Sequence, residues 1–205
     1  SVAANAANSG KAGSLNFRGT DINLDHAKIT ASTASNKAGI DAASVTLTAS
    51  GDVNLNSSEV TASTSGDVAA GSITLVAQNE SVSLFDSTVA STSNSSGITA
   101  GQAGAISLDA KGVSLVNSDV ATTIASAKQD NSQASITIAA NSENLEITNS
   151  TVKGSTSGNS AAGDISLSSD ATARLTEAEV SSKSTGDGAA GSVNLIAKDI
   201  VFVDS

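Results

Sequence analysis

Six times along this chain, an apolar residue that closes an apolar-x-apolar pair is followed by another apolar side chain five residues later. The pairs are Leu24 and Ile29, Leu55 and Val60, Leu84 and Val89, Leu115 and Val120, Ile147 and Val152, and Leu175 and Val180. Between them the residues drift among Ser, Thr, Asn, Asp and Glu, yet the spacing never changes. A fixed gap with variable contents marks a rigid corner in a repeated unit.

The rest of the repeat builds on that corner. One family of apolar-x-apolar units starts at Leu15, Val45, Ile73, Ile106, Ile136, Ile165 and Val193. A second starts at Ile22, Val53, Val82, Val113, Leu145, Ala173 and Ile200. The residues five beyond the second family, Ile29 to Val180, form a third column. First units follow one another at 30, 28, 33, 30, 29 and 28 residues. The variable stretch runs from the third column to the next first unit, 13 to 17 residues, where loops of different length leave a fixed frame.

Alternation of apolar and polar residues has the two-residue period of a strand with one buried face. Three short strands per repeat, joined by a tight corner, a modest turn and a longer loop, describe one coil of a parallel β-helix. The predicted fold is therefore all-β: a right-handed parallel β-helix, or β-solenoid, of about seven coils of ~30 residues with three short strands per coil. Stacking strand on strand sets like residues about 4.8 Å apart and gives a rod section of roughly 30 to 35 Å. Small residues two after each first unit (Gly19, Ala49, Ala77, Ala110, Ala140, Ser169, Ala197) and three after each second unit (Ala27, Ser58, Ser87, Ser118, Ser150, Ala178) fit corners around a thin core. An antiparallel sandwich has no reason to return the same residue types every ~30 residues, and neither a six-residue nor a 3.6-residue period is present.

Composition agrees. With three Phe and no Trp, Tyr, Met, Cys or Pro, the core is expected to consist of Val, Ile, Leu and Ala, and hence to be narrow. Net charge is −10, which disfavours nucleic acid and anionic membrane surfaces as partners. No apolar run is long enough to span a bilayer as a helix. Residues 1–205 read as a single solenoid segment: Val2-x-Ala4 looks like the third strand of an earlier coil, and Ser205 stops short of another. With no legible cap, the expectation is a section of a longer rod, or one stacking end to end on other copies or flanking coils.

At this point the residues resemble a family. The run AAGSITLVAQNESVSLFDSTVASTS, Ala69 to Ser93, is similar to the repeat region of filamentous-haemagglutinin-like exoproteins, the secreted passengers of two-partner secretion in Gram-negative bacteria, cyanobacteria included. An A-G-x-apolar-x-apolar element recurs at Ala12, Ala70, Ala103, Ala162 and Ala190, and the resemblance covers essentially the whole chain. It implies an extracellular or cell-surface rod with structural and adhesive duties. The family's secretion domain carries Asn-Pro motifs, which a chain without Pro does not contain.

Parallel β-helices also host enzymes, and catalysis on one needs carboxylates that converge among the outward residues. The first strands offer Asn16, Thr46, Thr74, Ser107, Thr137, Ser166 and Asn194. The second offer Asn23, Asn54, Ser83, Ser114, Glu146, Arg174 and Val201, and the third Thr30, Thr61, Ala90, Ala121, Lys153 and Ser181. No such column sets two acids on neighbouring coils, and no Tyr or Trp offers a platform for a sugar ring, so no catalytic residue is assigned and the chain is read as a non-enzyme. Glu146 with Arg174, and Lys28 with Glu59, fall opposite each other and read as exposed ion pairs. Thr185 to Gly188 reads as a turn, since the successive oxygen ligands of a calcium loop are missing. The lone His26 reads as a surface residue in a corner column. Neither metal nor cofactor is expected. The column Asp86, Asn117, Asn149 reads as a repeated Asx turn with amides bonded along the stack.

Two surfaces remain as expectations. The variable loops would make weak, repeated contacts with surface or matrix glycans and proteins. Alternatively the third-strand face, with Thr30/Ser32, Thr61/Ser63, Ala90/Thr92 and Ala121/Thr123, resembles the flat hydroxyl array of an ice-binding solenoid, interrupted by Lys153 and Lys183.

Overall fold

The computed structural model describes residues 1–7, 12–35, 42–94, 101–125 and 134–204. Strand β1 (Val2–Ala6) is followed by a repeating triplet: β2 (Leu15–Gly19), β3 (Ile22–Asp25) and β4 (Lys28–Thr33), then β5 (Val45–Ala49), β6 (Val53–Asn56) and β7 (Glu59–Thr64). The pattern continues through β8 (Ile73–Ala77), β9 (Ser81–Phe85) and β10 (Thr88–Ser93), and through β11 (Ile106–Ala110), β12 (Gly112–Val116) and β13 (Asp119–Ile124). It closes with β14 (Ile136–Ala140), β15 (Leu145–Thr148) and β16 (Thr151–Thr156), then β17 (Ile165–Thr176), β18 (Glu179–Ser184) and β19 (Val193–Val203).

All pairing is parallel, and every strand bonds to its equivalent one coil away. Third strands stack as β1-β4-β7-β10-β13-β16-β18, a seven-stranded sheet; first and second strands form a twelve-stranded sheet. The result is a parallel β-solenoid of about six turns, with ~30 residues per turn. Register follows the apolar columns: Val45 lies on Ile73, Val53 on Val82, and Val60 on Val89. Val2 and Ala4 pair with Ile29 and Ala31, so the first strand takes the third-strand place that its pattern indicated.

One expectation needs correction. The last two turns do not hold three short strands: β17 and β19 each run through the first and second positions as one strand of 12 and 11 residues. The register between them slips at Ser169/Thr172, a bulge that bends the strand without ending it. Ser169 Oγ accepts the Ala171 N–H and donates to the Glu143 carbonyl, holding the bend.

The core is a thin column of aliphatic side chains, with Leu47, Leu75, Leu84, Leu108, Ile136 and Ile138 fully buried. It is not purely aliphatic. The third strands also turn hydroxyls inward at Thr64, Ser91, Ser93, Thr122 and Thr156, all buried. Each faces the backbone of the returning segment. Ser91 Oγ accepts the Gly104 N–H at 2.7 Å and donates to the Gly71 carbonyl at 3.2 Å; Ser182 does the same between Gly191 and Gly163. Buried hydroxyls are tolerable here because they satisfy peptide groups that no ladder reaches.

The glycine of the recurring Ala-Gly element has a steric reason. A Cβ on Gly71 or on Gly163 would stand 1.9 Å from the carbonyl oxygen of the preceding coil, Ala43 or Ala134. The clash is with backbone rather than with a side chain, since a Cβ on Gly104 or Gly191 would likewise stand 2.3 or 2.4 Å from the Gly71 or Gly163 carbonyl oxygen; the column reads Gly13, Ala43, Gly71, Gly104, Ala134, Gly163, Gly191.

Candidate functional site

The five-residue corner shows what the polar residues are doing. Its first free residue adopts positive φ in every turn: His26, Ser57, Asp86, Asn117, Asn149, Glu177 and Asp204, all between 44° and 50°. Asn, Asp and His enter that left-handed region at least cost, which explains most of the column. The Asx-turn reading is thereby replaced by a left-handed corner. Of the amide links expected along it, Asn117 Nδ2 donates to Asp86 Oδ1 at 3.1 Å. His26 bonds to its neighbour Asp25 at 2.8 Å on the exposed surface.

One residue later runs a serine ladder. Ser58, Ser87, Ser118 and Ser150 each donate to the carbonyl two residues back, at 2.7 to 2.8 Å. Each Oγ also accepts a backbone N–H from the previous coil: Ala27, Ser58, Ser87 and Ser118 supply them at 3.0 to 3.1 Å. The corner before the second strand works similarly. Asp21 Oδ1 accepts the Asp52 N–H, Asp52 Oδ1 accepts the Ser81 N–H, and Asn144 Oδ1 accepts the Thr172 N–H. On the faces, Asn54 bonds Asn23 and Asn56 bonds Asp25, both at 2.9 Å.

The ion pairs divide. Lys28 and Glu59 meet at 2.7 Å as expected, both well exposed. Glu146 and Arg174 lie opposite each other in register, but no ion pair joins them. Lys153 instead reaches diagonally to Glu179 at 2.9 Å, a contact that same-column reading missed. The Lys153 ammonium, with the Ser181 hydroxyl beside it, holds the Glu179 carboxyl below the usual carboxylate range. Among the described residues no group of three His, Asp or Glu is gathered as a metal centre would require.

Two regions of surface stand out. The first is the seven-stranded sheet, whose outward column Ser32, Ser63, Thr92, Thr123, Ser155 is hydroxyl-bearing on five successive strands, in unbroken register. Next to it run Thr30, Thr61, Ala90 and Ala121, with Thr61 bonding Thr30 at 3.4 Å. Lys153 and Lys183 lie at its later strands, as the sequence indicated. The second is a groove beside the first-to-second corner, lined by Ser83, Gly112, Ser114, Glu143, Asn144 and Glu146 among others. The long connecting segments between third and first strands fall partly outside the described residues. The chain matches no family model, no curated protein and no solved structure.

Proposed function

We propose that the chain is a section of a non-catalytic extracellular rod, a structural and adhesive part of a large bacterial surface protein like the filamentous-haemagglutinin exoproteins its repeats resemble. The observation that carries this reading is how the polar side chains are used. Serine, aspartate and asparagine columns bond coil to coil, so side chains that could otherwise serve chemistry instead tie successive turns together. A rod built this way resists bending and pulling along its length and presents the same surface many times, which suits attachment by repetition. Its acidic surface directs it toward neutral or cationic partners at a cell surface or matrix rather than nucleic acid or anionic lipid.

The test is adhesion itself. Beads coated with the purified chain, washed over arrays of cell-surface glycans and matrix proteins, should be retained on a subset. Retention should fall when free protein is added in excess. Coated beads that adhere nowhere above albumin-coated controls overturn the adhesive role.

A second reading has its own support in the seven-stranded sheet. Five hydroxyls in register on one face resemble the ordered array of an ice-binding surface. Thermal hysteresis measured at high protein concentration decides it: none means that the face serves the rod alone.

A further inference from the structure

Large apolar side chains exposed among the described residues are Val2, Phe85, Val193, Ile196, Ile200 and Phe202. Five of the six belong to the first or last strand of the stack: Val2, Val193, Ile200 and Phe202 on columns that face the interior, with no coil over them in this chain, and Ile196 on an outward column of the last strand. Phe85 is the exception. It closes β9 in the middle of the rod, on the outward side, with 48% of its surface exposed and Asn56 and Val116 beside it in register. Its carbonyl is held by the Ser57 N–H and the Ser87 hydroxyl. The backbone is thus fixed by corner bonds that any residue could make, and the aromatic ring has no packing task that the core requires.

The groove starts two residues before that ring. It has a volume of about 500 Å³ and crosses four successive coils, from β9 through β12 and β15 to Ala171 in β17. Its cause is an irregularity in an otherwise uniform frame. A single residue, Lys111, separates β11 from β12, while four, Asn141 to Asn144, separate β14 from β15 on the next coil. The longer corner stands out beside the shorter one, and Gly112, lacking a side chain, leaves room for the Glu143 carboxylate to lie over the shorter corner. A Cβ there would come within 2.8 Å of the Glu143 carboxylate and 3.3 Å of Ser81 Oγ.

We propose that this groove binds a neutral saccharide chain laid across the coils, with Phe85 as the platform for one ring. The lining is rich in groups that exchange hydrogen bonds with hydroxyls: Ser83 and Ser114 from the strands, Glu143 from the corner, and Glu146 on β15. The charged groups of the lining are acidic, Glu143 and Glu146, and Glu80 and Asp170 stand at neighbouring corners, so acids outnumber the nearby Lys111 and Arg174. That excess selects against polyanions and suits a neutral, hydroxylated ligand. Stacking of an apolar sugar face on an aromatic ring supplies the desolvated contact that hydroxyl exchange alone does not give. The absence of Tyr and Trp thus does not remove every platform, since Phe85 points outward.

The inference rests on the adhesive part of the function proposed above, and its test is separate. The intact chain is titrated with cellohexaose and with chitohexaose, and with hexagalacturonate as the anionic counterpart, by calorimetry and by amide NMR. A neutral hexasaccharide should bind, shift amides of β9, β12 and β15, and exceed the anionic one in affinity by about tenfold or more. Phe85→Ala and Gly112→Ala, the second displacing the Glu143 carboxylate from the groove wall, should each weaken binding by about tenfold while leaving the thermal transition in place. Failure of both neutral hexasaccharides to bind at millimolar concentration overturns the proposal, as does binding that neither variant weakens. Coated beads that adhere while these sugars ignore the groove remove the groove alone; sugars that bind the groove while beads adhere nowhere remove the adhesive function alone.

Discussion

At the residue scale, Gly163 states the tightest demand of the fold. A Cβ at that position would meet the Ala134 carbonyl at 1.9 Å, and backbone cannot yield as a side chain does. Gly163→Ala should therefore cost about 3 kcal/mol through overpacking, read as a shift in a urea titration. Gly13→Ala is the control: a Cβ there meets nothing within 4 Å, so stability should hold. Ser87 carries a different demand. Its hydroxyl serves the Ser58 N–H and the Phe85 carbonyl together, and Ser87→Ala leaves both without that partner in a buried corner. A loss of about 1–3 kcal/mol is expected, with faster amide exchange at Ser58 as the specific sign. Glu179 sets the acid side. Its carboxyl is held below the ordinary range by Lys153, so this contact stabilises fully above the unfolded carboxylate's pKa and is lost as pH falls through the lowered folded value. Because both side chains are exposed, the effect stays under about 1 kcal/mol; Glu179→Gln should remove that part of the acid dependence, seen by comparing melting curves at neutral and acidic pH.

At the scale of elements, the corners differ in what they tolerate. The bend from second to third strand always takes the same number of residues and places the first of them at positive φ; the next is a ladder serine in four coils, and Ala27 or Ala178 in the two outer ones. The bend from first to second strand is free to vary, from none in β17 to the four of Asn141–Asn144. One residue inserted between Asp86 and Ser87 should thus shift the left-handed position and every hydroxyl after it out of register, destabilising the chain severely. The same insertion at Asn79 should be nearly silent; equal effects on the two melting temperatures would refute this account of the corners. These differences also explain what could be read beforehand. Val53, Leu55 and Val60 had to be apolar and evenly spaced because the core touches them in every coil, so strands, stacking and corner were all legible. The left-handed column was half hidden, since Ser57 and Glu177 occupy it where Asn or Asp would have announced it. Fusion of the two strands in β17 was invisible, because the spacing from Ile165 to Ala173 equals that from Val45 to Val53. The groove escaped notice for another reason: it is made by the difference in length between two neighbouring corners and by a side chain that Gly112 lacks, neither of which belongs to any column.

At the scale of the whole molecule, stability is a sum over coils, each held by its two neighbours. Interior turns bury both sides of every inward residue: Leu108 and Ile138 show no exposed surface. In the last turn, Val193 is 48% and Phe202 63% exposed, because no coil lies over them in this chain. Apolar burial contributes roughly 25 cal/mol per Å², so the outermost coils hold far less of the stabilising free energy than the middle ones while giving up similar conformational entropy. The chain should accordingly open from its ends inward rather than all at once. Amide exchange followed residue by residue should show the slowest rates in β8, β11 and β14, with protection falling stepwise through β17 to β19 on one side and through β5 to β2 on the other. The serine ladder predicts a further detail of that profile: the N–H groups of Ser58, Ser87 and Ser118 are held by hydroxyls rather than by a sheet, yet should exchange with the kinetics of their own coil, because no corner can open without breaking the one stacked upon it. Uniform protection from β2 to β19 would mean that the coils unfold as one unit, and that neighbour coupling along the rod far exceeds what burial alone supplies.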